Sequence, residues 1–247
     1  MRYLVAMPAL LLAAPLGAAP LVDLYGGVFS GQTALSGTLS SGPGQADIEQ
    51  DLGFDDTRQT VVYLGLEHPV PVLPNVRLRY TRLAEEANGQ VQTAFVFDGQ
   101  AFAPGTPVVS SVELEYTDLT LYYTPLDLAV KVDLGLTARQ VRGEFQVQNR
   151  LLPANRGEQT VDEVLPLVHV GVYGKLPLTG FYANGELNGV ALEGDSMVDA
   201  RAGIGWVSNL LLGVELGYQL QQVDAELGNL TLDTDAGGPY LAVSLNF

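Results

Sequence analysis

The chain has 247 residues, with 28 acidic and 12 basic side chains and a formal charge of −16 at pH 7. This excess of acid argues against nucleic acid as a partner, because binding a polyanion needs clustered lysine and arginine. The absence of cysteine excludes disulfide scaffolds and thiolate metal sites. The hydrophobic content of 47 % excludes an acidic disordered chain.

The N-terminal residues 1–19 have the pattern of a secretory signal peptide. Arg2 supplies a positive start, an apolar run covers residues 4–16, and Gly17, Ala18 and Ala19 are the small residues that a signal peptidase accepts. The apolar run is shorter than the roughly 20 residues that a membrane-spanning helix needs. We therefore expect a cleaved leader at 1–19 and an exported domain over residues 20–247.

From residue 20 onward, apolar and polar side chains alternate in segments separated by residues typical of turns. In the last segment, for example, Leu241 and Val243 alternate with Ala242 and Ser244. Aliphatic faces opposite small and charged residues are typical of strands with lipid on one side and a lumen on the other. The predicted strands cover residues 20–35, 59–69, 75–84, 111–124, 129–147, 162–176, 181–192, 197–207, 209–226 and 238–247.

The connections between these segments alternate in length. Those around residues 68–75, 125–127, 177–180 and 208–209 are short. The stretches 36–58, 85–110, 148–161 and 227–237 are long, and 193–196 is a short exception among them. Short periplasmic turns and longer external loops are typical of outer-membrane barrels. The sequence therefore predicts an all-β fold, a transmembrane antiparallel up-and-down β-barrel of ten strands, with eight or twelve strands as the alternatives.

Aromatic residues mark the predicted periplasmic side of the barrel. Phe247 ends the last strand, and we expect it to be the insertion signal that the barrel-insertion machinery reads. Tyr123, Phe181 and Trp206 lie on the outward parity near the periplasmic strand ends. Because amphipathic rings settle at the level of lipid headgroups, these three residues are predicted to form an aromatic girdle.

The polar parity of the strands is predicted to face the lumen, where acids and bases are equal in number. The acids are Glu67, Asp118, Asp133, Glu186, Asp199 and Glu215, the bases are Arg77, Arg79, Lys131, Arg139, Lys175 and Arg201, and His169 adds a hydrogen-bonding group. A ten-stranded barrel is only slightly wider than the eight-stranded kind that side chains fill, and unpaired buried charge is costly. We therefore expect a plugged interior cross-linked by ion pairs.

Three arginines carry a more specific prediction about these ion pairs. Each of them lies between outward-facing neighbours, and a guanidinium on the lipid side near the bilayer midplane would cost about 2–4 kcal/mol. They are Arg77, Arg79 and Arg201, and the acids expected within reach of them are Glu67, Asp118, Asp199 and Glu215.

Four stretches of the chain resemble a known family. They are residues 66–80 (LEHPVPVLPNVRLRY), 118–123 (DLTLYY), 176–183 (LPLTGFYA) and 238–241 (GPYL). These stretches are similar to a family of small bacterial outer-membrane β-barrel proteins with Gly-rich terminal strand motifs, of the OmpW/OmpA-like barrel type. The resemblance runs from about Val22 to Phe247. It implies a fold and an outer-membrane location, and it brings no catalytic residues.

The sequence holds little that points to catalysis. His68 falls in a predicted periplasmic turn, and His169 faces the predicted lumen as a pairing partner. No Gly-x-Ser-x-Gly, His-Glu-x-x-His or phosphate-loop motif is present. We therefore expect no enzyme, no cofactor and no metal site.

Three functional interpretations remain open at this stage. The first is a structural or interaction barrel of the cell envelope, the second is a narrow channel or carrier for small apolar solutes, and the third is an enzyme that modifies lipid A or peptides. The expected partners are outer-membrane lipid, lipopolysaccharide and the insertion machinery, and the barrel is predicted to be a monomer. The excess acids are expected to be solvated in external loops, among them Asp47, Glu49, Asp51, Asp55 and Asp56.

Overall fold

The computed structural model describes residues 22–192 and 194–246, and these residues form β-strands. Among them, no helix is long and apolar enough to cross a membrane. The predicted leader at 1–19 and the predicted insertion signal Phe247 lie outside the described residues. The strands are β1 (Asp23–Ser40), β2 (Ala46–Asp47), β3 (Asp56–Glu67), β4 (Asn75–Gln90), β5 (Phe95–Phe97), β6 (Gln100–Phe102), β7 (Pro107–Asp127), β8 (Val130–Asn149), β9 (Arg156–Lys175), β10 (Phe181–Leu192), β11 (Asp195–Val207), β12 (Leu212–Leu227) and β13 (Leu230–Asn246).

The long strands close into an antiparallel barrel. Their order around the ring is β1, β3, β4, β7, β8, β9, β10, β11, β12 and β13, and β13 pairs with β1. In that closing pair, Tyr25 lies opposite Asn246 and Ser40 lies opposite Thr231. Closure leaves no edge strand in the ring, although β9 extends beyond β10 and pairs with it only over Val168–Lys175. The predicted fold class is confirmed, with ten strands rather than eight or twelve.

The predicted strands all coincide with barrel strands, and β10 has the predicted bounds 181–192. Each of the other strands extends further than predicted at the end of the barrel that carries the long connections, whereas β1, β3, β8, β9 and β12 are shorter than predicted at the opposite end. β7, for instance, has 21 residues, whereas a tilted strand crosses a bilayer with roughly 9–11. Outward charges such as Glu86 and Asp235 therefore lie on strands, at a level where the barrel wall extends past the apolar band.

Two of the predicted long loops are wrong for the same reason. The connections in place of 148–161 and 227–237 are residues 150–155 and 228–229. Leu227 pairs directly with Leu230 across a two-residue turn, and Leu230 and Leu232 are buried on the lumen side. The alternation of buried and exposed side chains therefore continues through a stretch that was predicted to be a loop.

The two connections that are long, residues 41–55 and 91–106, fold over one end of the lumen, and we call them together the cap. The second connection contains the β5–β6 hairpin, which turns at Asp98 and Gly99, both with positive φ. Phe95, Phe97 and Phe102 from this hairpin are fully buried. They join Leu52, Phe54 and the lumen-facing wall in one apolar cluster. We refer to this end as the cap end and to the other as the short-turn end.

Candidate functional site

A layer of charged side chains crosses the middle of the lumen. Glu186 on β10 accepts hydrogen bonds from Arg77 (Nη1 to Oε2, 3.2 Å), from Arg201 (Nη2 to Oε2, 2.7 Å) and from Arg79. Arg77 and Arg79 belong to β4, which is separated from β10 around the ring by β7, β8 and β9 on the shorter side. These two ion pairs therefore span the bore instead of joining neighbouring strands.

A second group continues the layer. The Arg139 guanidinium on β8 lies between two carboxylates, with Nε 2.7 Å from Asp118 Oδ1 and Nη2 2.6 Å from Asp199 Oδ2. Asp118 is also 4.0 Å from Arg79, so the two groups touch. Only 3 % of the Arg139 side chain is exposed. Burial of Arg139 is tolerated because Nε and Nη2 both donate to Asp118, each at 2.7 Å. Arg77 Nε, Arg79 Nε and Asp199 Oδ2 are buried without a hydrogen-bond partner. We call this set of residues around Glu186 and Arg139 the ionic layer.

His169 is part of the ionic layer as a neutral hydrogen-bonding group. Its Nε2 lies 3.1 Å from Arg77 Nη2, and its Nδ1 lies 2.9 Å from Asn188 Oδ1. Because arginine has only donors, Nε2 must accept, which leaves the proton on Nδ1 to be donated to Asn188. Both ring nitrogens are therefore engaged, and the imidazole has no free lone pair with which to act as a base.

The short-turn end of the lumen holds a looser polar network. Lys131 Nζ lies 2.6 Å from Glu67 Oε2, and Tyr122 donates to the other oxygen of the same carboxylate at 3.0 Å. Asp133 accepts from Thr124 at 2.6 Å instead of meeting a base. This network lines a cavity of about 700 Å³.

Glu215 is held by neutral donors. Its carboxylate accepts from the Tyr182 hydroxyl at 2.8 Å, the Tyr240 hydroxyl at 2.6 Å and the Asn184 amide at 2.6 Å. Three donors satisfy this carboxylate without a guanidinium within ion-pair distance. Glu215 therefore does not have the arginine partner that the sequence reasoning expected.

The alternation pattern predicts the correct face for the charged residues, but the predicted partners are wrong for two of the three arginines. Arg77, Arg79 and Arg201 all project into the lumen, but Arg77 and Arg201 meet Glu186, which was not among the four acids expected for them. Arg79 meets Asp118 as expected, and Glu186 in addition. Parity assigns a residue to a face, whereas the partner across the bore depends on how the strands are staggered.

Lys175 is the one of the six predicted lumen bases that forms no ion pair in the described part of the chain. It is exposed at the mouth of the short-turn end, and no acid lies within ion-pair distance of it among the described residues. Its ammonium lies 5.5 Å from the centre of the Tyr173 ring. β9 ends at Lys175, so solvent rather than a carboxylate satisfies the charge.

The three residues predicted to form a girdle face outward. Phe181 and Trp206 lie directly opposite each other on β10 and β11, and all three rings are exposed. The Tyr123 hydroxyl donates to the Val72 carbonyl at 3.1 Å, in the turn that joins β3 and β4. These positions are at the short-turn end. Membrane contact by these rings stays a prediction.

Asp51 is the acidic residue for which the solvation prediction is wrong. Only 2 % of it is exposed, because its carboxylate accepts the backbone N–H of Asp47 at 2.9 Å and that of Gln92 at 2.5 Å. The second contact joins the two connections of the cap. The hairpin itself was missed, although Asp98-Gly99 between two alternating apolar triplets is a strong turn signal.

A second, smaller cavity of about 110 Å³ lies between the ionic layer and the cap, and we call it the chamber. Its floor is made by the ionic layer, including Glu186 and Arg201, which also line the cavity at the short-turn end. Its roof includes Leu52 and Phe54. The side walls are mostly lumen-facing apolar residues, among them Leu83, Val112, Val141, Phe145, Val161, Met197, Val223 and Leu232. The lining also includes the polar residues Thr33, Gln59, Thr81, Asn188, Gln219, Gln221 and Thr234.

Comparison with known proteins shows the fold. No protein-family model matches the chain, and no curated protein sequence matches it. The translocator domain of the autotransporter NalP from Neisseria meningitidis is similar in structure, with a TM-score of 0.51 and 10 % identity over 93 % of this chain and 90 % of that domain. The chain has the fold of bacterial outer-membrane β-barrels.

Two further solved structures match over most of their length. Neisserial surface protein A (NspA) matches at a TM-score of 0.35 and 12 % identity, covering 91 % of this chain and 97 % of that one. The transport unit of the autotransporter AIDA-I from Escherichia coli matches at 0.42 and 9 %, covering 96 % and 93 %. At sequence identities this low, the two matches indicate a similar fold and nothing further.

Proposed function

We propose that this chain is an integral outer-membrane barrel that is closed to ions and has a structural or interaction role in the cell envelope. The observation that carries the proposal is the ionic layer. It joins side chains from β4, β7, β8, β10 and β11, so it reaches from one side of the ring to the other. The two lumen cavities both end at this layer.

A closed layer is the expected result of these pairings. An ion crossing the bore would have to displace buried guanidinium and carboxylate groups from each other. Removing one partner from such a pair leaves an uncompensated buried charge and costs about 3–5 kcal/mol. Several pairs would have to open together, because Glu186 holds three arginines and Asp118 contacts two.

The proposed location in the outer membrane has three supports besides the fold. The outward parity of the strands carries an almost unbroken series of exposed aliphatic residues, such as Val62, Leu64, Leu136 and Leu216. Exposed apolar surface on this scale is typical of a membrane face. The sequence predicts a leader peptide, and exposed aromatic rings lie at the short-turn end.

Two alternative functions are an enzyme and a carrier of small apolar solutes. An enzyme is disfavoured because both nitrogens of His169 are engaged in hydrogen bonds. His68, the other histidine, is likewise bonded within its own turn, with Nε2 3.1 Å from the Pro74 carbonyl. A carrier of small apolar solutes is favoured by one specific observation, the apolar chamber above the ionic layer.

Planar-bilayer recording tests closure of the bore. We expect purified wild-type protein to give little conductance, and a variant with Arg77, Arg79, Glu186 and Arg201 all changed to alanine to conduct, since it lacks the pairs around Glu186. The matched control removes a pair of the same kind from the outer surface, Arg82→Ala with Glu113→Ala, whose side chains are 54 % and 48 % exposed. The control should remain closed. Wild-type protein that conducts like a general porin would show that the proposal is wrong.

A further inference from the structure

We propose that the chamber is a binding site for an uncharged hydrocarbon about the size of one aromatic ring, and that the cap is its entrance. The site rests on the proposed function in one respect, because the closed ionic layer forms its floor.

The walls of the chamber are mostly apolar and come from many strands. Val112 on β7, Val141 and Phe145 on β8, Val161 on β9 and Val223 on β12 are all buried there. A bound water needs about two to four polar partners, and such side chains supply none. Apolar cavities of roughly 150 Å³ in other proteins stay dry and bind benzene. The chamber, at about 110 Å³, is of comparable size.

The floor of the chamber selects against charged ligands. Arg139 already lies between Asp118 and Asp199, and Glu186 already holds its arginines. An ammonium group in the chamber would lose its hydration beside carboxylates that are already paired, and a carboxylate could gain only by drawing a guanidinium away from its partner. Such a transfer is strongly unfavourable, so the ligand class is an uncharged one.

Passage through the floor is closed, because the ionic layer separates the chamber from the cavity at the short-turn end. The seam between β13 and β1 is paired along most of its length. Pairing between β9 and β10 ends at Val168 and Gly189, so the part of β9 nearer the cap, residues 156–167, has no β10 partner. The opening therefore lies at the cap end, between the cap and this rim of β9.

The cap covers the mouth from side to side. The hairpin contacts the connection after β1, where Val96 N–H donates to the Pro43 carbonyl at 2.9 Å. It also contacts the start of β9, where the Asp98 carboxylate accepts from Glu158 N–H at 3.2 Å and from the Gln159 amide at 3.1 Å. β1 and β9 lie five steps apart in the ring of ten strands, so the hairpin crosses the opening.

The polar contacts that hold the cap to the β9 rim are few and exposed. Both contacts of the Asp98 carboxylate involve exposed groups. Opening at this rim breaks only exposed polar contacts, whereas Phe95, Phe97 and Phe102 hold the underside of the cap in the apolar cluster of the lumen. The outer edge of the cap is therefore the part that separates at the lowest free-energy cost.

A reversible disulfide tests the cap as the entrance. A Cβ atom built on Gly42 would lie 3.4 Å from Val96 Cβ, close to the roughly 3.5–4.5 Å between Cβ atoms in disulfides. The chain has no cysteine of its own to interfere. Crystals of Gly42→Cys with Val96→Cys, oxidised or reduced, are exposed to iodobenzene vapour beside crystals of the wild type, and the iodine is located by its anomalous scattering.

We expect an iodine peak in the chamber of the wild type and of the reduced variant, and loss of that peak in the oxidised variant. Iodobenzene in the chamber of the oxidised variant at wild-type occupancy would overturn the cap as the entrance. A wild-type chamber without iodine would overturn the binding site. Bilayer recording on the same preparations distinguishes this proposal from the proposed function. A barrel that does not conduct and binds no iodobenzene would refute the binding site alone. A wild-type barrel that conducts would refute the closed floor.

Filling the chamber tests the site in solution. Val141→Phe and Ala236→Leu, made separately, each add carbon atoms at a position that lines the chamber, and Leu216→Phe adds them on the outward face as the control. Binding of fluorobenzene, followed by fluorine NMR on protein in amphipol, should weaken at least tenfold in both filled variants and remain unchanged in the control. Heat-modified migration on gels verifies that each variant is folded. Equal binding by filled and control variants, or equal binding of fluorobenzoate and fluorobenzene, would refute the site.

Discussion

Replacing Glu186 by alanine should destabilise the barrel more than any single change on its outer surface. The carboxylate holds three guanidinium groups, and the side chains of Arg77 and Arg201 are only 11 % and 16 % exposed. After the change, Arg77 keeps His169, and Arg79 keeps Asp118 at 4.0 Å. Arg201 keeps only the faces of aromatic rings, with Phe29 the nearer at 5.3 Å.

The expected loss in the free energy of unfolding follows from the partners that each arginine keeps. Removing one member of a buried ion pair costs about 3–5 kcal/mol, because the other charge stays buried. Arg77 and Arg201 both lose their carboxylate partner, so we expect a loss of at least this size in the free energy of unfolding. Glu186→Gln keeps the shape and the acceptor oxygen, and should cost less than Glu186→Ala.

The assay is urea unfolding of the barrel in phospholipid vesicles. Trp206 is the only tryptophan and lies exposed on the outward face, so its fluorescence reports the loss of the membrane environment. The matched control is Glu113→Ala, which breaks the exposed pair with Arg82 and should cost about 0–1 kcal/mol. Adding Arg201→Ala to Glu186→Ala should cost less than the sum of the two single changes, because it removes the stranded charge. Equal costs for Glu186→Ala and Glu113→Ala, or additive costs in the cycle, would refute this reasoning.

Three further predictions concern location, insertion and the cap. The protein should fractionate with the outer membrane and run as a heat-modifiable band on gels; recovery of the mature chain in the soluble periplasm would contradict an integral barrel. Replacing Phe247 by serine should reduce insertion far more than the same change at Asn246, which has the opposite parity, and equal insertion of the two variants would contradict the assigned faces. Asp51→Asn removes the charge from the buried acceptor that joins the two connections of the cap, and should increase proteolysis within residues 91–106, whereas Glu49→Gln at an exposed neighbour should not. Equal protease resistance of both variants would show that the Asp51 charge does not hold the cap.

The local pattern of the sequence was sufficient to predict the architecture of this barrel. The alternation of Leu241 and Val243 with Ala242 and Ser244 specifies which side chains share a face, whatever strand lies beside them. Because the side-chain period of a strand is two, a wrong face would put every polar residue of that strand into lipid. The strand count, the face of each charge and the position of the short turns all follow from this constraint.

The strand ends at the cap end were harder to predict, because acidic residues on both parities weaken the alternation there. Asp233 and Asp235 lie on the outward face of β13, where water can reach them beyond the apolar band. Nothing in a local pattern states how far a barrel extends past the bilayer. The continued burial of Leu230 and Leu232 is what keeps this stretch in the wall.

Only the tertiary structure decided which groups meet inside the barrel. Glu186 and Arg201 are opposite each other on adjacent strands, a pairing that depends on register alone. The contact of Glu186 with Arg77 depends in addition on closure and stagger, which bring β4 and β10 within reach across the bore. The inward fold of the cap is likewise non-local. The sequence Asp98-Gly99 predicts the turn itself. The apolar lumen, in which the phenylalanines of the hairpin are buried, determines the direction in which the hairpin folds.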